Sequence, residues 1–169
     1  MNASWDYFWP SFAAGLVVGL IAGLIAFRLR RTRKQRYGTL AIAALFSVAL
    51  AMLWHGPLGA ADRFADEVER TARAALVYNE IPQVSAHLHR GPLTRRIVLS
   101  GPADDFQRSE LVRIMGDLPG VGSAQWTAEP AGVPLIADGA GVALVGFLFG
   151  LFVAYLIELR RRYNAQWNW

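Results

Sequence analysis

The chain has 169 residues, of which 54% are hydrophobic and only 18% charged, with a formal net charge of +4 and no cysteine. Its mean hydropathy of +0.27 is high for a water-soluble protein, whose charged share is usually about a quarter. The length excludes a large multidomain enzyme and the apolar excess excludes disorder of the whole. Missing cysteine excludes disulfides, thiolate metal sites, iron–sulfur ligation and a cysteine nucleophile.

Residues 1–8 form a short arm with one acid, Asp6, and no Lys or Arg side chain. Residues 9–27, WPSFAAGLVVGLIAGLIAF, carry no charge and supply the roughly 20 apolar residues that cross a hydrocarbon core. A first transmembrane helix is expected there. A basic loop follows at 28–38, with Arg28, Arg30, Arg31, Arg33, Lys34 and Arg36. The second span is expected at 39–58, TLAIAALFSVALAMLWHGPL, again without formal charge. A third is expected at 134–159, where an apolar run begins after Asp138 and reaches Glu158. The tail, 160–169, is basic and aromatic, with Arg160, Arg161 and Arg162 before Trp167 and Trp169. Stretches this long and apolar on every face read as membrane spans.

The cations set the expected orientation. Nine of the 17 Lys and Arg belong to the loop and tail clusters just named. Cytoplasmic loops collect such residues, so an N-out, C-in three-pass topology in a bacterial inner membrane satisfies both clusters. Positive charges follow the first apolar run instead of preceding it, unlike a cleavable signal peptide. Trp5, Tyr7, Phe8 and Trp9, then Trp54, Trp167 and Trp169, fall near expected helix ends and are read as interfacial anchors. The clusters are assigned to topology and lipid headgroups, and no motif that reads nucleic acid accompanies them.

Small residues four apart mark the spans. Gly15, Gly19 and Gly23 line one face of the first, and Gly146, Gly150 and Ala154 one face of the third. The second has a weaker version in Ala43, Ser47 and Ala51. Such faces let backbones approach closely, among these helices or against those of a partner; the motif leaves both open. No ionisable residue lies near the middle of any span, whereas ion paths and proton relays are built from such residues. Asp138 suits the positive end of a helix dipole. Glu158 is a neighbour of the inner arginines, and His55 reads as interfacial and not as an axial ligand.

Residues 60–130 differ, with ten acids against eight Lys and Arg. Phe64, Val68, Ala72 and Ala75 recur at helical spacing in ADRFADEVERTARAALVYN. VSAHLHR alternates as a half-buried strand, with His87 and His89 on the polar side, and Gly91-Pro92 turns the chain into TRRIVLSG, a second strand. Asp104 and Asp105 open a second helix with Leu111, Ile114, Met115 and Leu118 on one stripe. VGSAQWTA reads as a third strand. The expected order is helix, strand, strand, helix, strand.

Leu99, Ser100 and Gly101, an acidic helix start, and LVRIMGDLPGVGSAQW with Gly120 and Val121 give this segment its character. It resembles the BON domain family over about 65 residues; the run GPLTRR between the strands and Gly122 depart from that pattern. The resemblance implies a small α+β domain, with two helices on one face of a sheet. It also implies an envelope location, attachment to membrane or phospholipid, protein interaction, and no catalysis.

Chemical constellations are sparse. His87 and His89 lack the further ligands of a zinc site. Adjacent Asp104 and Asp105 suit capping better than paired acid–base work. Ser100 lacks the flanking glycines of a nucleophile elbow, and no phosphate loop, HExxH or dinucleotide fingerprint occurs. The fold expected is therefore three transmembrane helices with a BON-like periplasmic domain at 60–130. The role expected is a non-catalytic accessory or scaffolding subunit of a larger inner-membrane assembly such as a respiratory or photosynthetic complex. Its partners would be membrane lipids and other integral subunits, with no cofactor, metal, nucleic acid or small-molecule substrate. Alternatives are an envelope-maintenance protein whose domain binds phospholipid, and a component of an oligomeric channel or transporter.

Overall fold

A computed structural model describes residues 2–28, 32–127 and 132–166. The elements are α1 (Ala3–Arg28), α2 (Arg33–His55), α3 (Ala60–Tyr78), β1 (Ser85–Arg90), β2 (Leu93–Ser100), α4 (Asp105–Gly116), β3 (Ser123–Gln125) and α5 (Leu135–Gln166). Three of them, α1, α2 and α5, are long and apolar enough to cross a membrane. The chain divides into two compact units, Met1–Tyr7 with Gly59–Asp138, and Phe8–Leu58 with Gly139–Trp169.

The first unit is a three-stranded sheet in the order β1-β2-β3, antiparallel between β1 and β2 and parallel between β2 and β3. Ala86 and Leu88 of β1, Ile97 and Leu99 of β2 and Ala124 of β3 are buried on one face. Register pairs Ala86 with Leu99, Leu88 with Ile97, and Ile97 with Ala124, so these side chains share that face. Helix α3 lies against β1 and α4 against β3. Their buried stripes, Phe64, Ala65, Val68, Ala72 and Leu76 on α3 and Leu111 and Met115 on α4, close the core.

Local chemistry ends these elements. Asp104 caps α4, its Oδ1 accepting the Gln107 N–H at 2.7 Å while Gln107 Oε1 accepts the Asp104 N–H, a reciprocal capping box. Helix α3 ends in a Schellman arrangement. The Ile81 N–H donates to the Leu76 carbonyl and the Glu80 N–H to that of Val77, with Glu80 at a φ of 59°. Gly101 and Gly120 are required by both conformation and space. They have φ of 135° and 97°, and a Cβ would stand 2.7 Å from the Gln83 carbonyl oxygen or 2.9 Å from Val68 Cγ2.

Several boundaries differ from the sequence reading. The arm 1–8 is helical from Ala3 and Pro10 lies inside α1: Asn2 Oδ1 accepts the Ser4 N–H and starts the helix ahead of the apolar run. Tyr7 is no interfacial anchor. It is 3% exposed, its ring 5.5 Å from that of Phe64, and its hydroxyl donates to the Leu135 carbonyl at 3.3 Å. The basic loop shortens because Thr32 and Gln35 form a capping box that starts α2 at Arg33, and Gly56 ends it at His55. Most of the tail continues α5, which reaches Gln166. The third strand is short, three residues in place of eight, because only Arg96–Val98 of β2 pair with it.

The alternation expected around His87 and His89 holds, with Val84, Ala86 and Leu88 buried, Ser85 and His87 exposed and His89 half-buried, and it ends at the exposed Arg90. Pairing shifts from Leu88 with Ile97 to Arg90 with Leu93, so Thr94, Arg95 and Arg96 stand opposite the single residue His89. The irregularity falls within the run GPLTRR and the residue facing it. His89 Nδ1 lies 3.2 Å from the Pro92 carbonyl oxygen, while His87 remains exposed.

In the second unit, Ser47 and Ala51 of α2 are buried, while Ile42, Leu45, Phe46, Met52 and Leu53 are exposed. Apolar side chains also stand outward on α1 (Val17, Ile21, Ile25) and α5 (Val145, Leu148, Phe149, Phe152). For a helix in hydrocarbon this distribution is the stable one.

Candidate functional site

The glycine faces meet each other. Backbone positions from which side chains would project at Gly15 and Gly19 point at the carbonyl oxygens of Ala143 and Phe147; those at Gly146 and Gly150 point at Phe12 and Leu16. Farther along, a Cβ on Gly23 would stand 2.6 Å from Ala154 Cβ and 3.2 Å from Leu151 Cδ2. Both sets of numbers rise together, so α1 and α5 run parallel along this seam. Gly15, Gly19, Gly146 and Gly150 each turn a Cα–H toward the other helix's carbonyl, contacts worth about 0.5–1 kcal/mol each. Close backbone approach adds dispersion that lipid chains would not match. Phe12 and Phe149 flank the seam with ring centroids 6.3 Å apart, as do Phe27 and Tyr155 at 6.2 Å. These small faces are thus occupied within the chain.

Charged side chains of the spans stand at their ends: Asp6 and Arg28 on α1, Arg33, Lys34 and Arg36 on α2, Asp138, Glu158, Arg160, Arg161 and Arg162 on α5. Arg33 lies 5.9 Å from the centre of the Tyr37 ring, one turn on. Glu158 is an ion-pair centre, with Arg162 Nε at 3.0 Å and Arg161 Nη1 at 3.8 Å. Trp5 and Trp9 are exposed, Trp54 and His55 half-buried. Arg30, Arg31, Trp167 and Trp169 lie outside the described residues.

In the sheet unit the main polar cluster surrounds Glu69, which sequence reasoning missed. Its carboxylate is 14% exposed. Oε1 accepts the Leu88 N–H at 3.0 Å and Oε2 accepts from Arg90 Nη2 at 3.1 Å, with His87 Nδ1 3.9 Å away. Leu88 lies on the free edge of the sheet, so Glu69 satisfies an edge N–H that would otherwise invite another strand. The available signal was an acid at the flank of the α3 apolar stripe, one residue beyond Val68. Ser100 Oγ is 2.8 Å from Ser85 Oγ across the strand pair, and Asp104 is taken up by its cap. At the far end of β3, Trp126 Nε1 donates to the Arg108 carbonyl and the Arg108 guanidinium lies 5.2 Å from the Trp126 ring centre. Among the described residues no three His, Asp or Glu side chains gather as a metal site.

A shallow groove of about 520 Å³ runs along the outer side of α3, lined by Arg70, Arg73, Ala74, Val77 and Tyr78. These positions recur at helical spacing opposite the buried stripe. No family model, curated protein or solved structure matches the chain.

Proposed function

We propose that this protein is a non-catalytic accessory or scaffolding subunit of a larger assembly in a bacterial inner membrane. Its N-terminus and α3–β3 domain would face the periplasm, and its C-terminus the cytoplasm. The observation that carries the reading is the placement of charge. Ionisable groups on the three long helices occupy their ends, whereas transport through a membrane is built on such groups at depth. Orientation is supported by Arg28, Arg33, Lys34 and Arg36 on one side of the apolar stretches and Arg160–Arg162 after the third. Parallel packing of α1 and α5 suits an odd number of crossings, in which first and third helices point the same way.

In this reading the glycine seam is a stem and not a docking face. It pairs the first span with the third, and partner contacts come from other surfaces. The order α-β-β-α-β, with antiparallel and then parallel pairing, supports assignment of that domain to the BON type. A bilayer-facing or partner-facing role would follow from its tethering at both ends.

Purification from native membranes in mild detergent, followed by native mass spectrometry, tests the proposal. A stoichiometric complex with at least one other integral subunit is expected. A clean monomer or homodimer at native expression would overturn it.

A further inference from the structure

We propose that the outer face of α3 is a docking groove for an acidic amphipathic helix of a partner protein. The inference rests on the scaffolding reading and identifies the surface that would serve it. Helix α3 has two stripes. One, Phe64 to Leu76, is buried in the sheet unit. The other, Arg70, Arg73, Ala74, Val77 and Tyr78, is exposed throughout, with Val77 at 61% and Tyr78 at 88%. Val77 and Tyr78 stand side by side as the exposed apolar end of that stripe, and covering them would remove apolar surface from water.

Shape and charge specify the cover. The stripe spans two helical turns, about 12 Å, and its i, i+3, i+4, i+7 spacing is the ridge on which another helix packs. Ala74 opens the floor of the groove, and the aliphatic stems of Arg70 and Arg73 wall it. The groove's only ionisable side chains besides the tyrosine are these two arginines. Arg70 shares its charge with Glu67 at 3.0 Å, whereas Arg73 has no ion pair among the described residues. A carboxylate one turn from an apolar anchor would complete it. Tyr and Arg are also the residue types that dominate the energetics of such contacts.

Other occupants fit less well. Anionic headgroups are held by clusters of about four to eight Lys or Arg, and this groove offers two, one already paired. A second copy on the same stripe would bring Arg73 against Arg73 about a two-fold axis.

The test uses the full chain in native membranes, with a photoreactive p-benzoylphenylalanine replacing Ala74. The expected result is a single protein adduct whose linked peptide maps to an acidic helical segment of the co-purifying subunit. Arg73→Glu should lower its yield roughly tenfold or more, and Arg73→Lys should retain most of it. Both residues are exposed, and unchanged melting curves verify folding. Adducts only with lipid, only with a second copy, or with no discrete species would overturn the proposal, as would full yield in Arg73→Glu. If native mass spectrometry finds a stoichiometric partner that is not linked at Ala74, the docking face fails and the scaffolding reading stands. If no partner is found, both fail.

Discussion

Replacing Gly19 by alanine adds one methyl group, and the α1–α5 seam has no room for it. A Cβ there would stand 2.8 Å from the Phe147 carbonyl carbon and 2.9 Å from its Cα, where carbon atoms in contact normally sit about 3.5–4.0 Å apart. Both obstacles are backbone, so the helices must part by roughly 0.7–1 Å, a gap that forfeits about a quarter to a half of each contact's dispersion energy. Four reciprocal Cα–H contacts, at Gly15, Gly19, Gly146 and Gly150, are worth about 2–4 kcal/mol together and weaken in the same movement. Alanine returns about 1 kcal/mol of helix propensity, leaving a net destabilisation of about 1–3 kcal/mol, the usual range for overpacking. Gly141→Ala is the matched control, because nothing lies within 4 Å of its added Cβ; it should be neutral or slightly stabilising. The chain has no cysteine, so dyes on Val17→Cys and Val145→Cys, both exposed, report helix separation by energy transfer during SDS titration. Gly19→Ala should lower the separation midpoint and Gly141→Ala should not. Equal midpoints for the two variants would refute the seam.

Three other substitutions have expected signs. Glu69→Ala leaves the buried Leu88 N–H without its acceptor and should destabilise the sheet unit by about 1–3 kcal/mol, with faster hydrogen exchange in the 85–90 peptide; Glu69→Gln keeps an acceptor and should recover part of the loss. Glu80→Gly relieves the left-handed conformation that ends α3 and should stabilise by about 1 kcal/mol, read as a higher melting temperature by circular dichroism. Ser47 Oγ is buried without a hydrogen-bond partner, so Ser47→Ala should raise the SDS midpoint by an amount equivalent to about 1 kcal/mol.

Legibility followed the range of the interactions. Helix α4 was readable because Asp104, its cap, and the Leu111–Met115 stripe lie within a dozen residues. The capping box at Thr32 was equally local, yet the arginines around it suggested a loop. The sides of His87 and His89 were legible from alternation within one strand, whereas the irregularity after Leu88 was not, because it belongs to pairing between two. Glu69 escaped notice since an acid on a helix is ordinarily a solvated face; only the edge of β1 beside it gives the carboxylate its work.

By itself the sequence determined three uncharged stretches of spanning length, the asymmetry of their flanking arginines, and the order of elements in 60–130. Those properties depend on residue type and short-range period, which water and hydrocarbon sort without reference to distant partners. Tertiary structure alone decided that the glycine faces of α1 and α5 consume each other. It also decided that Tyr7, 128 residues from Leu135 along the chain, belongs to the sheet unit's core. A stripe of glycines states that something can come close; which backbone does so is set by where the whole chain places it.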